Sequence, residues 1–193
     1  MNSQTKQTWK IMKFLGIGVI MLMLLLLAAI PAMAAIELNE ADFQAGNYVP
    51  FGTYPQTVSG TDETPIEWLV LDRNGNRALL LSRCGLDVQP YNKELEYITW
   101  ENCSLRSWLN DTFINKTFTD KEKLCILLTD VENSQSQSYK PKYVTGGNDT
   151  QDKIFLLSYA EANKYLGVES ANYDNVTSRM SPTHYAKTQG VFL

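Results

Sequence analysis

An uncharged apolar run near the amino terminus constrains this chain most, because it separates a targeting segment from the part that folds. Residues 14–30 read FLGIGVIMLMLLLLAAI, and Lys6, Lys10 and Lys13 precede them. No acidic residue occurs before Glu37. A basic start followed by an apolar run is typical of a secretory signal peptide. The chain is therefore expected to be exported.

The residues after this run have the pattern of a cleavage site. Pro31 ends the apolar helix, and Ala32 and Ala34 occupy the two small-residue positions of an A-x-A site. We predict a signal peptide over residues 1–34. The alternative is an uncleaved membrane anchor at residues 14–30, since a membrane-spanning helix needs about 17–25 apolar residues. Either way, the sequence predicts a secreted or extracytoplasmic protein that meets the membrane only through this run.

The rest of the chain is long enough for one domain with a hydrophobic core. Residues 35–46 are predicted to be a lead-in, and residues 47–193 a single α+β domain. The whole chain has a formal net charge of −4, and all 21 acidic residues lie beyond the predicted signal peptide. An acidic domain without a basic cluster argues against nucleic acid or anionic lipid as a partner.

The cysteines and the one histidine carry no metal or catalytic pattern. The three cysteines, Cys84, Cys103 and Cys125, form no C-x-x-C pair, and His184 is the only histidine. Buried thiols are the favoured interpretation, while a Cys84–Cys103 or Cys103–Cys125 disulfide stays open. His184 is predicted to be an exposed loop residue, since no nucleophile pairs with it. No cofactor or metal is predicted.

A β-hairpin is the strongest local prediction. Two apolar runs, residues 65–72 and 77–82, flank Asn74 and Gly75, and Asn-Gly favours a type I′ turn in which both central residues have positive φ. The nearly continuous apolar runs predict that both strands are central and covered on both faces. Residues 48–56 contain two prolines and predict an edge strand or a turn.

Periodic and capping patterns predict short helices. Residues 104–114 place apolar side chains on one helical face, with Ser104 as the N-cap. Two capping boxes and one C-cap glycine mark further helix ends: Thr119 with Glu122, Ser158 with Glu161, and Gly167.

The remaining segments are assigned from their polarity. The apolar stretches 126–131 and 153–158 are predicted strands, whereas residues 85–99, 132–152 and 168–193 are predicted to be irregular. Within residues 146–152, several side-chain oxygens could bind a cation, but a solvated loop is the preferred interpretation.

Aromatic and oxygen-bearing side chains in polar segments are the ligand-binding candidates. Exposed aromatic residues often form contacts with sugars or proteins. The candidates are Tyr139, Tyr143, Asn148, Asp149 and Tyr185. The alternative is that the tyrosines only pack their loops onto the body of the domain.

The motifs together resemble a known family of domains of unknown function that is common in exported and cell-surface proteins of Gram-positive gut bacteria. The block TWENCSLRSWLN at residues 99–110 is the most specific part, and the other matching segments are FGTYPQ, PIEWLVL, ALLLS, DKIFLLS and PTHYA. That family is similar to C-type-lectin-like folds, including the sulfatase-modifying-factor branch. The resemblance implies a mixed C-type-lectin-like domain with an antiparallel hairpin and two or three short helices.

Two motifs of the resembled family are absent from this sequence. Its members continue with a W-W-L-R-S-P segment and a late G-V-R-P strand, so we expect a domain that is truncated at its carboxyl terminus. The resemblance implies a non-enzymatic binding module for an extracellular glycan or protein, and it transfers no catalytic residue. The alternatives are an enzyme of the formylglycine-generating type, with cysteine-dependent oxidation, and a non-functional truncated remnant.

Overall fold

A computed structural model describes residues 40–134, 146–167 and 180–190, and it confirms an α+β domain. These residues hold a three-stranded and a two-stranded antiparallel sheet, with short helices between and after them. The strands are β1 (Tyr48–Tyr54), β2 (Thr64–Asn74), β3 (Arg77–Ser82), β4 (Thr129–Val131) and β5 (Thr150–Asp152). The first sheet has the order β1-β2-β3, and β4 pairs with β5.

The helices are all short. They are α1 (Ser104–Trp108), α2 (Ile114–Thr117), α3 (Asp120–Cys125), α4 (Tyr159–Leu166) and α5 (His184–Thr188). A π-helical turn, Leu109–Phe113, joins α1 to α2. Both predicted capping boxes are present, at the starts of α3 and α4, and Gly167 ends α4 with a φ of 64°.

The predicted hairpin is confirmed, but its turn is not the predicted type. Asn74 pairs with Arg77, so the two central residues are Gly75 and Asn76. Gly75 has a φ of 60°, whereas Asn76 does not have a positive φ. A type I′ turn needs positive φ at both central positions, and a type II′ turn has glycine at the first. The central residues of the turn are therefore Gly75 and Asn76, one residue later than the predicted pair of Asn74 and Gly75.

The prediction that both hairpin strands are central is wrong for β3. β2 lies between β1 and β3, and its Ile66 and Val70 are buried. β3 is an edge strand among the described residues, and none of its residues is fully buried. The predicted edge strand at residues 48–56 is confirmed as β1.

Helix α1, which begins in the block at residues 99–110 (hereafter the TWENCSLR block), has a different N-cap residue from the one predicted. Cys103 is the N-cap, and its Sγ accepts a hydrogen bond from the backbone N–H of Arg106 at 3.5 Å. Ser104 is the first helical residue, and its Oγ accepts from the backbone N–H of Lys93 at 2.9 Å. The serine therefore ties the irregular segment 85–99 to the helix instead of capping it.

Three other assignments differ from the sequence predictions. Only Thr129–Val131 of the predicted strand 126–131 is a strand. The stretch 153–158 is not a strand, because the pairing with β4 uses Thr150–Asp152 just before it. Part of the stretch predicted to be irregular at the carboxyl end forms α5, with His184 exposed as its first residue and not in a loop.

One core joins the first sheet to the helices. Ring contacts connect Phe113 to Tyr54 at 5.1 Å and to Phe118 at 6.4 Å between centroids. The buried members are Tyr54, Ile66, Leu86, Leu109, Phe113, Ile114 and Phe118, with Trp68, Trp100, Leu105 and Trp108 packed against them. The carboxyl-terminal α5 joins this body through a parallel bridge between Gly85 and Pro182.

The predicted signal peptide at residues 1–34 lies outside the described residues, so it stays a prediction. Within residues 40–134, 146–167 and 180–190, no helix is both long and apolar enough to cross a membrane.

Candidate functional site

A groove lies along the β2–β3 hairpin among the described residues, and we call it the sheet groove. Its volume is about 530 Å³. One side is the hairpin, and the other is formed by the chain around residues 125–129 and 153–157. Its apolar lining includes Phe51, Trp68, Leu79, Leu81, Phe118, Ile126, Leu127, Ile154, Phe155 and Leu157.

Three aromatic side chains that line the sheet groove, which we call its floor, pack against one another. The ring of Phe118 stacks on Trp68 at 6.2 Å and tilts against Phe51 at 5.1 Å. The Nε1–H of Trp68 donates a hydrogen bond to the carbonyl oxygen of Phe51 at 2.7 Å. Because the indole N–H has this partner, the face of Trp68 can contact an apolar group without leaving a polar atom unsatisfied.

Charged side chains form the rim of the sheet groove. They are Asp72, Arg73, Arg77 and Lys153. The carboxylate of Asp72 accepts a hydrogen bond from the hydroxyl of Tyr165 at 3.0 Å and lies 3.7 Å from the ammonium of Lys164. The Tyr165 hydrogen bond, more than any other contact, lowers the pKa of Asp72 below its usual value. The rim therefore carries one engaged carboxylate and three basic side chains.

A second polar cluster surrounds Asp152, which is 1% exposed. Its carboxylate accepts hydrogen bonds from Arg106 Nε at 2.7 Å, Trp100 Nε1 at 3.0 Å and Thr150 Oγ1 at 2.7 Å. The guanidinium of Arg106 also donates to the carbonyl oxygen of Glu101 at 2.9 Å. These three donors satisfy the hydrogen-bonding capacity that burial would otherwise leave unpaired.

This cluster explains the TWENCSLR block in structural terms. Trp100 and Arg106 come from the block, and Asp152 from the DKIFLLS segment, so the ion pair fastens β5 to α1. All of its described donors and acceptors are satisfied, which fits a role in holding the fold. The expectation of a solvated loop at residues 146–152 is wrong for Asp152. The sequence signal that could have revealed this ion pair is the opposite charge carried by two specific motifs, with Arg106 in one and Asp152 in the other.

A third cluster contains Tyr185, one of the predicted ligand residues. Tyr54 donates a hydrogen bond to the carboxylate of Asp87, and the ammonium of Lys116 lies 4.4 Å from the Tyr54 ring and 5.5 Å from the Tyr185 ring. Burial and the neighbouring Asp87 raise the pKa of Tyr54. Burial likewise raises the pKa of Tyr185, and Asp87 adds to it. Both phenols are therefore neutral at physiological pH.

The structure does not bring the predicted ligand residues into one described cluster. Asp149 accepts a hydrogen bond from the backbone N–H of Asn133 at 2.9 Å, and the N–H of Asn148 donates to Glu101 at 3.0 Å. Neither shares a described hydrogen bond with Tyr185, which packs against Tyr54 instead. Tyr139 and Tyr143 lie outside the described residues. Ligand binding by these five residues stays a prediction.

All three cysteines carry free thiols, and they differ in exposure. Cys103 is buried, Cys84 is intermediate, and Cys125 is exposed at the sheet groove. The structure therefore contains neither the Cys84–Cys103 nor the Cys103–Cys125 disulfide. The prediction of buried thiols is confirmed for Cys103, is wrong for Cys125, and does not hold fully for the half-buried Cys84. No group of histidine, cysteine and acidic side chains suited to a metal ion occurs in the described ranges.

Comparison with known proteins identifies one family. A family model described as "Domain of unknown function (DUF6273)" matches residues 75–189, which is more than half of the chain. The match begins at the hairpin turn and includes β3, the Asp152 cluster and α5. No curated protein and no solved structure is significantly similar to the chain.

Proposed function

This chain belongs to the family of the domain of unknown function DUF6273, and we propose that it is a non-enzymatic binding module that holds its ligand in the sheet groove. The groove itself carries the proposal. Small-molecule sites are concave, mostly apolar and about 300–1,000 Å³, with a few polar groups that orient the ligand. A groove of about 530 Å³ with an aromatic floor and a charged rim has these properties.

The chemistry of the groove favours binding over catalysis. A general acid or base has to be within hydrogen-bond reach of the reacting proton. The rim carboxylate, Asp72, is held by Tyr165 and Lys164, and the ammonium of Lys153 donates to the carbonyl oxygen of Lys123 at 3.2 Å. Asp72 and Lys153 therefore make contacts within the protein that stabilise the walls of the groove.

The proposal includes export and the finer fold relationship. The basic start and apolar run at residues 14–30 support secretion or surface attachment, with an extracellular protein or glycan as the partner. The C-type-lectin-like arrangement rests on the motifs quoted from the sequence. Amino-terminal sequencing of the exported protein is expected to begin at Ala35, and a start at Met1 would favour the membrane anchor.

The binding function is tested by unbiased screens of the full chain. A glycan array and a display library of random 12-residue peptides are each screened against the chain and against the variant Leu79→Arg. Leu79 lines the groove and is partly buried, so arginine there would fill it. We expect ligands that bind the parent chain and lose at least tenfold in affinity for the variant.

The matched control is Leu128→Arg, because Leu128 is 60% exposed and does not line the groove. This variant should retain the ligands, and circular dichroism should show that both variants fold. Two empty screens would contradict the binding function. Ligands that bind equally to Leu79→Arg would place the site elsewhere on the molecule.

A further inference from the structure

The sheet groove includes the outer edge of β3. Successive side chains of a strand point to opposite faces of a sheet, so a cavity on one face would meet every second residue. All five residues from Arg77 to Leu81 line the groove instead. Among the described residues β3 pairs only with β2, so its other edge has no strand partner there. Such an edge is a template for another extended chain.

The charged side chains at the rim determine which ligands the groove favours. Among the described ion pairs, none uses Arg77 or Lys153, and the described hydrogen bond of the Lys153 ammonium is to a backbone carbonyl, that of Lys123. The carboxylate of Asp72 lies near Lys164 instead. The chain as a whole has a formal net charge of −4, so a basic rim does not simply follow its composition. Opposite charges across an interface promote association and exclude partners of the wrong sign.

We infer that the sheet groove receives an extended acidic peptide segment of a partner protein, which adds to β3 as a fourth strand; this inference rests on the proposed binding function. Backbone hydrogen bonds to the β3 edge would supply affinity. Alternate side chains of the peptide would make apolar contacts with Trp68 and Ile154. Five strand residues correspond to about 17 Å of extended peptide.

A second copy of the chain fits this edge less well. Two copies that pair edge to edge around a twofold axis would each contribute the same patch. Each copy would then bring Arg77 and Lys153 of its groove into the same interface. Like charges brought together at an interface are destabilising.

The test uses three fluorescein-labelled octapeptides that alternate valine with glutamate, serine or lysine, titrated into the full chain and followed by fluorescence anisotropy. We expect the glutamate peptide to bind about tenfold more tightly than the serine peptide, and the lysine peptide to bind weakest. The double variant Arg77→Glu and Lys153→Glu should reverse this order. Arg77→Glu alone should reduce the preference for the glutamate peptide, so the test remains valid if the double variant does not fold.

Two controls are included. The first tests whether the effect of a charge depends on its position in the groove, and the second tests whether binding uses the peptide backbone. Lys187→Glu, at an exposed position on α5 outside the groove, should leave the order unchanged. N-methylation of alternate peptide nitrogens should abolish binding for one of the two possible sets, because only one set donates to β3. Binding that survives both methylation patterns would overturn strand addition.

The outcomes distinguish this inference from the proposed function. Equal affinity for all three peptides, lost in Leu79→Arg, would overturn the acidic partner and leave the groove as a binding site. No binding of any peptide, together with empty screens, would overturn both. Self-association of the chain that excludes the glutamate peptide would assign the groove to a second copy and also overturn the inference.

Discussion

At the scale of a residue, Asp152 is buried and its neighbours offset the cost of that burial with hydrogen bonds. Trp100, Arg106 and Thr150 all donate to its carboxylate, and the side chain of Arg106 is 27% exposed. In Asp152→Asn the new amide N–H₂ would face either the Trp100 or the Arg106 donor, and the buried negative charge would be lost. We expect a decrease of about 2–4 kcal/mol in the free energy of unfolding, measured by urea denaturation.

The control for this prediction is Asp130→Asn. Asp130 is exposed and accepts a hydrogen bond from Gln151 Nε2 at 2.9 Å, which an asparagine oxygen can also accept. Its change in stability should stay within about 0.5 kcal/mol. Equal losses in the two variants would show that Asp152 is not an essential part of the fold.

Two glycines with similar φ values separate the effect of a steric contact from that of a positive φ. Gly52 has a φ of +68°, and a Cβ there would lie 2.5 Å from the ring of Phe118. Gly75 has a φ of +60°, and its Cβ would meet nothing within 4 Å. We expect Gly75→Ala to lower the free energy of unfolding by about 1–2 kcal/mol, from backbone strain alone. Gly52→Ala should lose about 1–3 kcal/mol more, because Phe118 is buried.

Urea denaturation of both glycine variants measures this difference. The Gly75→Ala variant serves as the control, since its φ is also positive and its Cβ would meet nothing within 4 Å. If both variants lose the same amount, the ring of Phe118 moves aside freely, and its packing on the groove floor is looser than the ring distances indicate.

At the scale of an element, the β1–β2 loop is organised by Asp62. Its carboxylate accepts hydrogen bonds from the side chains of Thr57 and Thr64 and from the backbone of Gln56 and Thr57. These bonds, led by that from the Thr57 hydroxyl, lower the pKa of Asp62 well below its usual value. A lowered pKa in the folded state adds stability above the unfolded value of about 3.9, and this stability is lost on acidification.

Asp62→Asn should therefore reduce the melting temperature by a few degrees at pH 7. The difference from the parent chain should shrink as the pH falls below about 4, since the parent then loses the same interactions. Melting curves followed by circular dichroism between pH 7 and pH 2 measure this. The exposed neighbour Glu63 supplies the control, Glu63→Gln. A difference that is constant across this pH range would contradict the role of the charge.

The element boundaries show where local signals suffice. Capping boxes at the starts of α3 and α4 were predictable, because each is completed within four residues of the chain. The strand at Thr150–Asp152 was not, since its pairing with β4 depends on a segment about 20 residues away. The change from Ser104 to Cys103 as N-cap has the same origin, because Ser104 is engaged by Lys93.

At the scale of the whole molecule, the shared core predicts one cooperative transition. Phe113 is 4% exposed and joins Tyr54 of β1 to Trp108 and Phe118 through ring contacts. Unfolding in urea, followed by tryptophan fluorescence and by circular dichroism, should therefore give coincident curves. A non-functional remnant without a closed core would instead unfold gradually or in separate steps.

Phe113→Ala should shift both curves together, by about 3–5 kcal/mol in the free energy of unfolding. Leu124→Ala is the control, because Leu124 is 73% exposed and its change should remain within about 0.5 kcal/mol. A shift confined to one probe would show that the sheet and the helices unfold independently.

The sequence by itself determined the features that depend on neighbours along the chain. The hairpin, the edge strand β1, the capping boxes and the α+β class all follow from patterns within about ten residues. The family match covers residues 75–189, which include the motif block at residues 99–110.

Only the tertiary structure decided which of these segments meet. It buried Asp152 against Arg106, left one edge of β3 facing a groove, and placed Tyr185 beside Tyr54. Burial and pairing between segments far apart in sequence depend on how the whole core packs. For this reason the sheet groove, which carries the proposed function, has no signature in any single stretch of the chain.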